Sequence, residues 1–325
     1  MDATKPLRNI AREILSRDDV ACLIGYEKGS YGFRVAPCVL KDPDQADRLV
    51  FSPLCVHNLT NYLTLENIGP LAQKDGDADK IAIVVKACDS RALAVLMAEK
   101  GIDREKVVVI GVCSSGVVDL KKLEKRFPNA VENTEVVRRN GAFSVMYQGE
   151  TVEVPAEELL SAKCMRCKNR LPVVYDELVG EPDEAPGDEF ADVRESEARS
   201  VEEKFEKWHS ELEKCIRCYA CRNICPLCYC SDCALDRLNP QLIRRSVNYQ
   251  ENLLFHMTRA FHLAGRCIDC GECERVCPQD IPLMELNRKL AKDVKELYDY
   301  EPGVDPEAKA LFATFRPEDP DEGIM

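Results

Sequence analysis

No segment of this sequence is both long and apolar. The longest runs, around Ile81–Val85 and Val107–Val112, are strand-sized, far short of the ~20 residues a membrane-crossing helix needs. Aromatic residues are sparse at 6%, with a single tryptophan, and there are only four histidines. No Gly-x-Gly-x-x-Gly occurs, so the dinucleotide fingerprint that cradles a pyrophosphate is missing. Met1-Asp2-Ala3-Thr4-Lys5-Pro6 has neither the basic stretch nor the apolar core of a secretory signal, and the expected location is cytoplasmic. Positive charge is also short: the formal net charge is −13, which argues against nucleic acid and anionic membrane surfaces as partners.

Cysteine, by contrast, is abundant, with 18 in 325 residues. In a chain of this length without an export signal, that number points to metal binding rather than disulfides. The length suits two or three domains. Residues 1–175 alternate apolar runs and helix formers: Ile81–Val85, then Ala92-Leu93-Ala94-Val95-Leu96-Met97, then Val107–Ile110. That order predicts a βαβ unit, and hence an α/β domain with a mainly parallel sheet. Residues 176–206 are acidic and contain Pro182, Pro186 and Gly187, as expected of a linker leading into a charged helix that ends near Trp208. Residues 207–300 hold the densest cysteines and predict a ferredoxin-like two-cluster domain, with 301–325 a terminal helix and tail.

One spacing occurs twice: Cys215-x2-Cys218-x2-Cys221-x3-Cys225-Pro226 and Cys267-x2-Cys270-x2-Cys273-x3-Cys277-Pro278. It is the run of bacterial two-cluster ferredoxins, whose fourth cysteine ligates the other cluster. The expected ligands are therefore Cys215, Cys218, Cys221 and Cys277 for one 4Fe–4S cluster, and Cys267, Cys270, Cys273 and Cys225 for the second. A pair of structural zinc sites would need only two Cys-x2-Cys pairs each and would leave the repeated third and fourth cysteines idle. Cys228, Cys230 and Cys233, between the repeats, could replace a ligand, hold a further metal or be structural.

Cys88 and Cys113 follow the two predicted parallel strands, at the sheet edge where α/β proteins bind ligands. With the pair Cys164-x2-Cys167 they make four candidate ligands for a third cluster, although unpaired buried cysteines give the same pattern. Cys22, Cys38 and Cys55 lack ligand spacing and are expected to be small core residues.

Together, Lys86-Ala87-Cys88-Asp89-Ser90-Arg91, Val109-Ile110-Gly111-Val112-Cys113, Lys163-Cys164-Met165-Arg166-Cys167 and the two cysteine-rich repeats resemble the beta subunits of the formate dehydrogenase and hydrogenase family that uses the deazaflavin coenzyme of methanogens. The resemblance runs nearly end to end and lies closest to the formate dehydrogenase branch, which carries an inserted ferredoxin module. It implies a proximal 4Fe–4S cluster on Cys88, Cys113, Cys164 and Cys167 beside FAD, and electron flow through three clusters. The implied partners are a formate dehydrogenase or hydrogenase catalytic subunit, or a heterodisulfide-reductase-like subunit. Candidate flavin contacts are Ser52, Pro53, Lys86, Asp89, Ser114 and Gly116. The chain departs from the family in two places: Met1–Ile14 has no Gly-Gly pair, and Lys86-Ala87-Cys88-Asp89 stands where Lys-Pro-Cys-Asp is usual. Those departures motivate an alternative, a flavin-free electron relay with no substrate site.

Overall fold

The structure, a computed structural model, describes residues 3–64, 80–129, 135–139, 141–184 and 190–313. The chain divides into two compact units, Met1–Gly187 and Asp188–Met325.

The first unit is built on a five-stranded sheet. Strands β1 (Val20–Lys28), β2 (Val35–Leu40), β3 (Lys80–Val85) and β4 (Val107–Val112) are joined by a short edge strand, Glu177–Val179, in the order β2-β1-β3-β4-edge. Only the β1–β2 pair is antiparallel; β1–β3, β3–β4 and β4 with the edge strand run parallel. The two apolar runs become central parallel strands, and Ala82–Val85 and Val109–Ile110 are wholly buried. A continuous apolar run is what a strand covered on both faces requires. The helix α1 (Thr4–Leu15) precedes the sheet, and α2 (Ala87–Ala98) is the β3–β4 crossover. Nearly every residue of α2 from Ala87 to Leu96 is buried, as befits a helix without a polar face.

The α/β expectation holds, but the sheet reaches beyond residue 175: Ile110, Gly111 and Val112 pair with Glu177, Leu178 and Val179. Asp176 anchors the returning chain, its carboxylate accepting from the Val109 N–H at 2.7 Å and pairing with Arg104. Strands β5 (Val136–Arg139), β6 (Ala142–Tyr147) and β7 (Glu150–Pro155) form a separate antiparallel sheet that the βαβ pattern did not foreshadow.

The second unit is helical. The stretch expected as a linker contains α3 (Ala191–Glu197) and α4 (Val201–Glu213), so the charged helix continues past Trp208. Pro186 and Gly187 lie outside the described residues. Ser200 caps α4 reciprocally: its hydroxyl accepts from the Glu203 N–H, and the Glu203 carboxylate accepts from the Ser200 N–H at 2.8 Å. Trp208 and Leu212 share an apolar cavity with Tyr249, Leu253 and Met257. The last three lie on α5 (Tyr249–His262), and α6 (Leu283–Tyr298) follows. Arg288 on α6 pairs with Asp192 on α3 at 2.7 Å and also with Asp269. Of the expected tail, residues 314–325 lie outside the described part, and Phe312 sets its ring edge-on to Tyr298 at 5.7 Å. None of the described helices is long and apolar enough to cross a membrane.

Candidate metal centres

Both ferredoxin-type repeats fold into the same loop. Arg217 and Tyr219 adopt φ of 54° and 60°, and the equivalent Asp269 and Gly271 adopt 57° and 67°. Left-handed residues two and four places after the first cysteine turn successive backbone N–H groups toward one point, the nest geometry that favours anions and iron–sulfur centres. A helical turn follows each loop, Ala220–Asn223 and Glu272–Arg275. The Arg217 N–H donates to Cys215 Sγ at 3.4 Å, and the Asp269 N–H donates to the Cys267 sulfur in the same way. Only Gly271 is a glycine; Arg217, Tyr219 and Asp269 are left-handed positions that cysteine spacing cannot reveal.

Cys215, Cys218 and Cys221 line one cavity together with Cys277 of the other repeat, closed by Phe255, His256, Pro278 and Ile281. His256 Nε2 lies 3.3 Å from Cys215 Sγ. Burial holds that imidazole down at about 4, with Arg259 and Arg217 adding repulsion, so the neutral ring faces the sulfur. The cavity thus joins Cys277 to the first repeat, and Cys225 lies within electrostatic range of Cys267 and Cys273 of the second. Burial pushes the Cys221 thiol up to about 11 and Cys267 to about 12, and raises Cys273 further. Iron would have to displace those protons, which couples metal binding to pH and to folding.

Of the cysteines between the repeats, Cys228 is raised to about 11 by burial and then by Cys225, Cys230 is exposed, and Cys233 is half-buried. In the first unit Cys22, Cys38 and Cys55 are buried.

Cys88 and Cys113 sit beyond the C-terminal ends of adjacent strands β3 and β4, where Val85 pairs with Gly111. Cys164 lies in the helical turn Ala162–Met165 and accepts from the Val117 N–H at 3.4 Å. Gly116, at φ +109°, makes room for it: a Cβ there would stand 2.9 Å from Leu160 Cδ1 and 3.0 Å from Cys164 Cβ. Burial pushes the Cys88 thiol up to about 12, with Asp89 raising it and Lys163 and Lys86 opposing, and Cys164 is within its field. Cys167 is raised by burial and faces Arg170, Cys164 and Arg91. Cys88 and Cys167 thus each lie within electrostatic range of Cys164. Cys113 instead faces Asp183 and Glu181, with its N–H bonded to the Val179 carbonyl at 2.9 Å.

The candidate flavin contacts are engaged within the fold. The Lys86 ammonium is buried, 2.8 Å from the Asp89 carboxylate and 2.6 Å from the His57 carbonyl, and it also meets the Tyr26 hydroxyl. Three partners match its three N–H donors. Asp89 is fully buried and also accepts from the Lys86 backbone N–H at 3.1 Å, capping α2. Ser114 Oγ accepts from the Gly116 N–H, Ser52 Oγ from the Leu54 N–H, and the Pro53 carbonyl from the Val118 N–H. Among the described residues no three His, Cys, Asp or Glu side chains converge as a single-ion site would require.

Residues 214–282 match the 4Fe–4S dicluster domain family. The chain is 28% identical over 306 residues to the F420-dependent formate dehydrogenase subunit beta of Methanocaldococcus jannaschii, covering 76% of this chain and 79% of that one. It is also 28% identical over 291 residues to the F420-dependent formate dehydrogenase 1 subunit beta of Methanococcus maripaludis, covering 70% and 74%. A solved F420-reducing NiFe hydrogenase complex from Methanosarcina barkeri aligns with 52% of this chain and 62% of that chain, at 14% identity and a TM-score of 0.39. Over most of its length this chain is a homologue of the beta subunits of F420-dependent formate dehydrogenases, and it contains a 4Fe–4S dicluster domain.

Proposed function

We propose that this chain is the iron–sulfur electron-transfer subunit of a formate dehydrogenase-type complex, active only with its catalytic partner. The observation that carries the reading is the cavity that gathers Cys215, Cys218 and Cys221 with Cys277 from the second repeat, inside the matched dicluster domain. These four hold one cluster, and Cys267, Cys270, Cys273 and Cys225 hold the other. The nests and the N–H···S bonds fit that cargo. When bound, such clusters supply one-electron transfer. The chain's own part is to fix the sulfur ligands, aim backbone N–H donors at them and exclude water behind Phe255 and Ile281.

A third cluster on Cys88, Cys164, Cys167 and Cys113 deepens the reading, supported by the shared field of the first three and the strand-end position of the fourth. The relatives are named F420-dependent. A hydride carrier of that kind needs a converter between two-electron and one-electron steps, which is flavin chemistry, and FAD is the proposed group. The opposite terminus would be a formate dehydrogenase or hydrogenase catalytic subunit, or a heterodisulfide-reductase-like one. The inward engagement of Lys86 and Asp89 favours the second reading, a relay without flavin.

Anaerobic purification with native partners, followed by iron, sulfide and flavin analysis corrected for those partners, tests both. About twelve irons and one flavin per chain supports the full path of three four-iron clusters. About eight irons without flavin supports the relay, and fewer than about eight overturns the dicluster assignment. Cys164→Ser should abolish reduction by the hydride carrier and leave both module clusters spectroscopically intact; unchanged reduction would remove the proximal cluster.

A further inference from the structure

One buried charge contacts the first cysteine set and lies within electrostatic range of the second, and cysteine spacing gives no hint of it. Arg259, on α5, is 3% exposed. One terminal nitrogen donates to the Cys221 carbonyl at 2.9 Å, while its Nε–H is buried without a hydrogen-bond partner. Among the described residues no carboxylate pairs with it; the strongest charges acting on it are Cys273, Cys225, Cys221 and Cys228. Three of them belong to the two sets, Cys221 to the first and Cys225 and Cys273 to the second, and Cys228 lies between the repeats. A buried cation without an anion is strongly unfavourable, and protonated thiols do not supply one. Thiolates carrying iron do, and cluster sulfur accepts hydrogen bonds that tune potential.

Arg217 offers an internal contrast. It is also buried with an unpartnered Nε. Its terminal nitrogens, however, are tied to the Glu251 and Arg244 carbonyls, its plane lies over Phe255 at 4.8 Å, and the cysteine it acts on is Cys215.

We propose that Arg259 is a counter-charge shared by both clusters of the module, its free Nε–H directed at cluster sulfur, so that the two reduction potentials are held up together. This rests on the dicluster reading above. Each cluster gains one electron on reduction, and a fixed positive charge between them favours that gain at both, keeping the pair close in potential.

The test is a potentiometric titration followed by electron paramagnetic resonance on the intact complex, comparing Arg259→Met, Arg259→Lys and Arg217→Met. In Arg259→Met both module clusters should fall in potential by at least about 59 mV, a tenfold change in the reduced-to-oxidised ratio of a one-electron couple. Arg259→Lys, which keeps the charge, should restore most of the shift. Arg217→Met should move only the cluster on the Cys215 set. Unshifted potentials in an Arg259→Met complex that retains its iron, or a shift confined to one cluster, would overturn the proposal. If Arg259→Met loses its iron, Arg259→Gln, which removes the charge but keeps a hydrogen-bond donor, decides: a downward shift of both clusters supports the shared charge, and a shift of one or neither overturns it. Absence of about eight module irons from the unaltered complex would instead be a failure of the dicluster reading.

Discussion

The two units organise their interiors by different means. In the first, Leu, Ile and Val from β1, β3, β4, α1 and α2 fill a continuous core whose central strands are wholly buried. In the second, among the described residues, the buried cluster around the loops mixes four cysteines with Leu235, Ile243, Phe255, Ile281, Leu283 and Met284, while Leu212, Leu227, Leu263 and Val294 are buried outside it. The first can reach its fold by burying apolar surface alone. Around the loops of the second the apolar residues are interleaved with thiols, so ligation is expected to supply part of its stability, as in other small metal-organised domains. One half of the chain is stabilised by its own side chains, the other in part by what its side chains hold.

The harshest way to break this comparison is to remove the iron. Anaerobic chelation of the full chain should expose residues 214–282 to rapid tryptic cleavage while the sheet of the first unit stays protected. Equal protection before and after would mean that the second unit folds unaided. Next in size is Cys277→Ser, which should eliminate the cluster on Cys215, Cys218 and Cys221 although residue 277 belongs to the other repeat. Paramagnetic resonance showing loss only of the Cys267 cluster would contradict the crossover.

Ile83→Ala tests the opposite half. It deletes a fully buried side chain in β3 and should lower first-unit stability by about 2–5 kcal/mol, read from denaturant unfolding, with cluster spectra unchanged. The smallest effect is expected for Ser200→Ala, which removes the cap of α4 and should cost about 1 kcal/mol, with exchange of the α4 amides speeding up and those of β3 unaffected. If Ser200→Ala instead released iron, the helices would be coupled to the clusters more tightly than the comparison allows.

The parts that could be read from sequence are those where one physical demand dominates. Ile81–Val85 and Val107–Ile110 announce buried parallel strands because nothing polar interrupts them, and the repeated cysteine spacing announces its clusters because the ligands must lie on a tight loop. The edge strand Glu177–Val179 is three residues long with two of them exposed, and its place is set by β4 and by the Asp176 bonds rather than by its own composition. In α3 and α4 the acidic surface obscures a narrow apolar stripe, although Ser200 and Glu203 carry a capping signature. Ser52, Ser114, Lys86 and Asp89 are flavin candidates through the family resemblance and their loop positions, and only tertiary contacts reveal that their polar groups serve one another and the local turns. Arg259 is invisible for the same reason: its meaning depends on two loops that are distant in sequence and adjacent in space.

The proposed exchange of fourth cysteines between the repeats would also set a schedule for synthesis. Cys221 leaves the ribosome more than fifty residues before Cys277, an interval of roughly 3–11 s at ordinary translation rates. Throughout it the first loop presents three thiols without their fourth. A cube inserted early would be incomplete and open to oxidation, so cluster delivery belongs after the second repeat has emerged. On that ligand set, a chain truncated anywhere before residue 277 should forfeit the first cluster even though Cys215, Cys218 and Cys221 are already made.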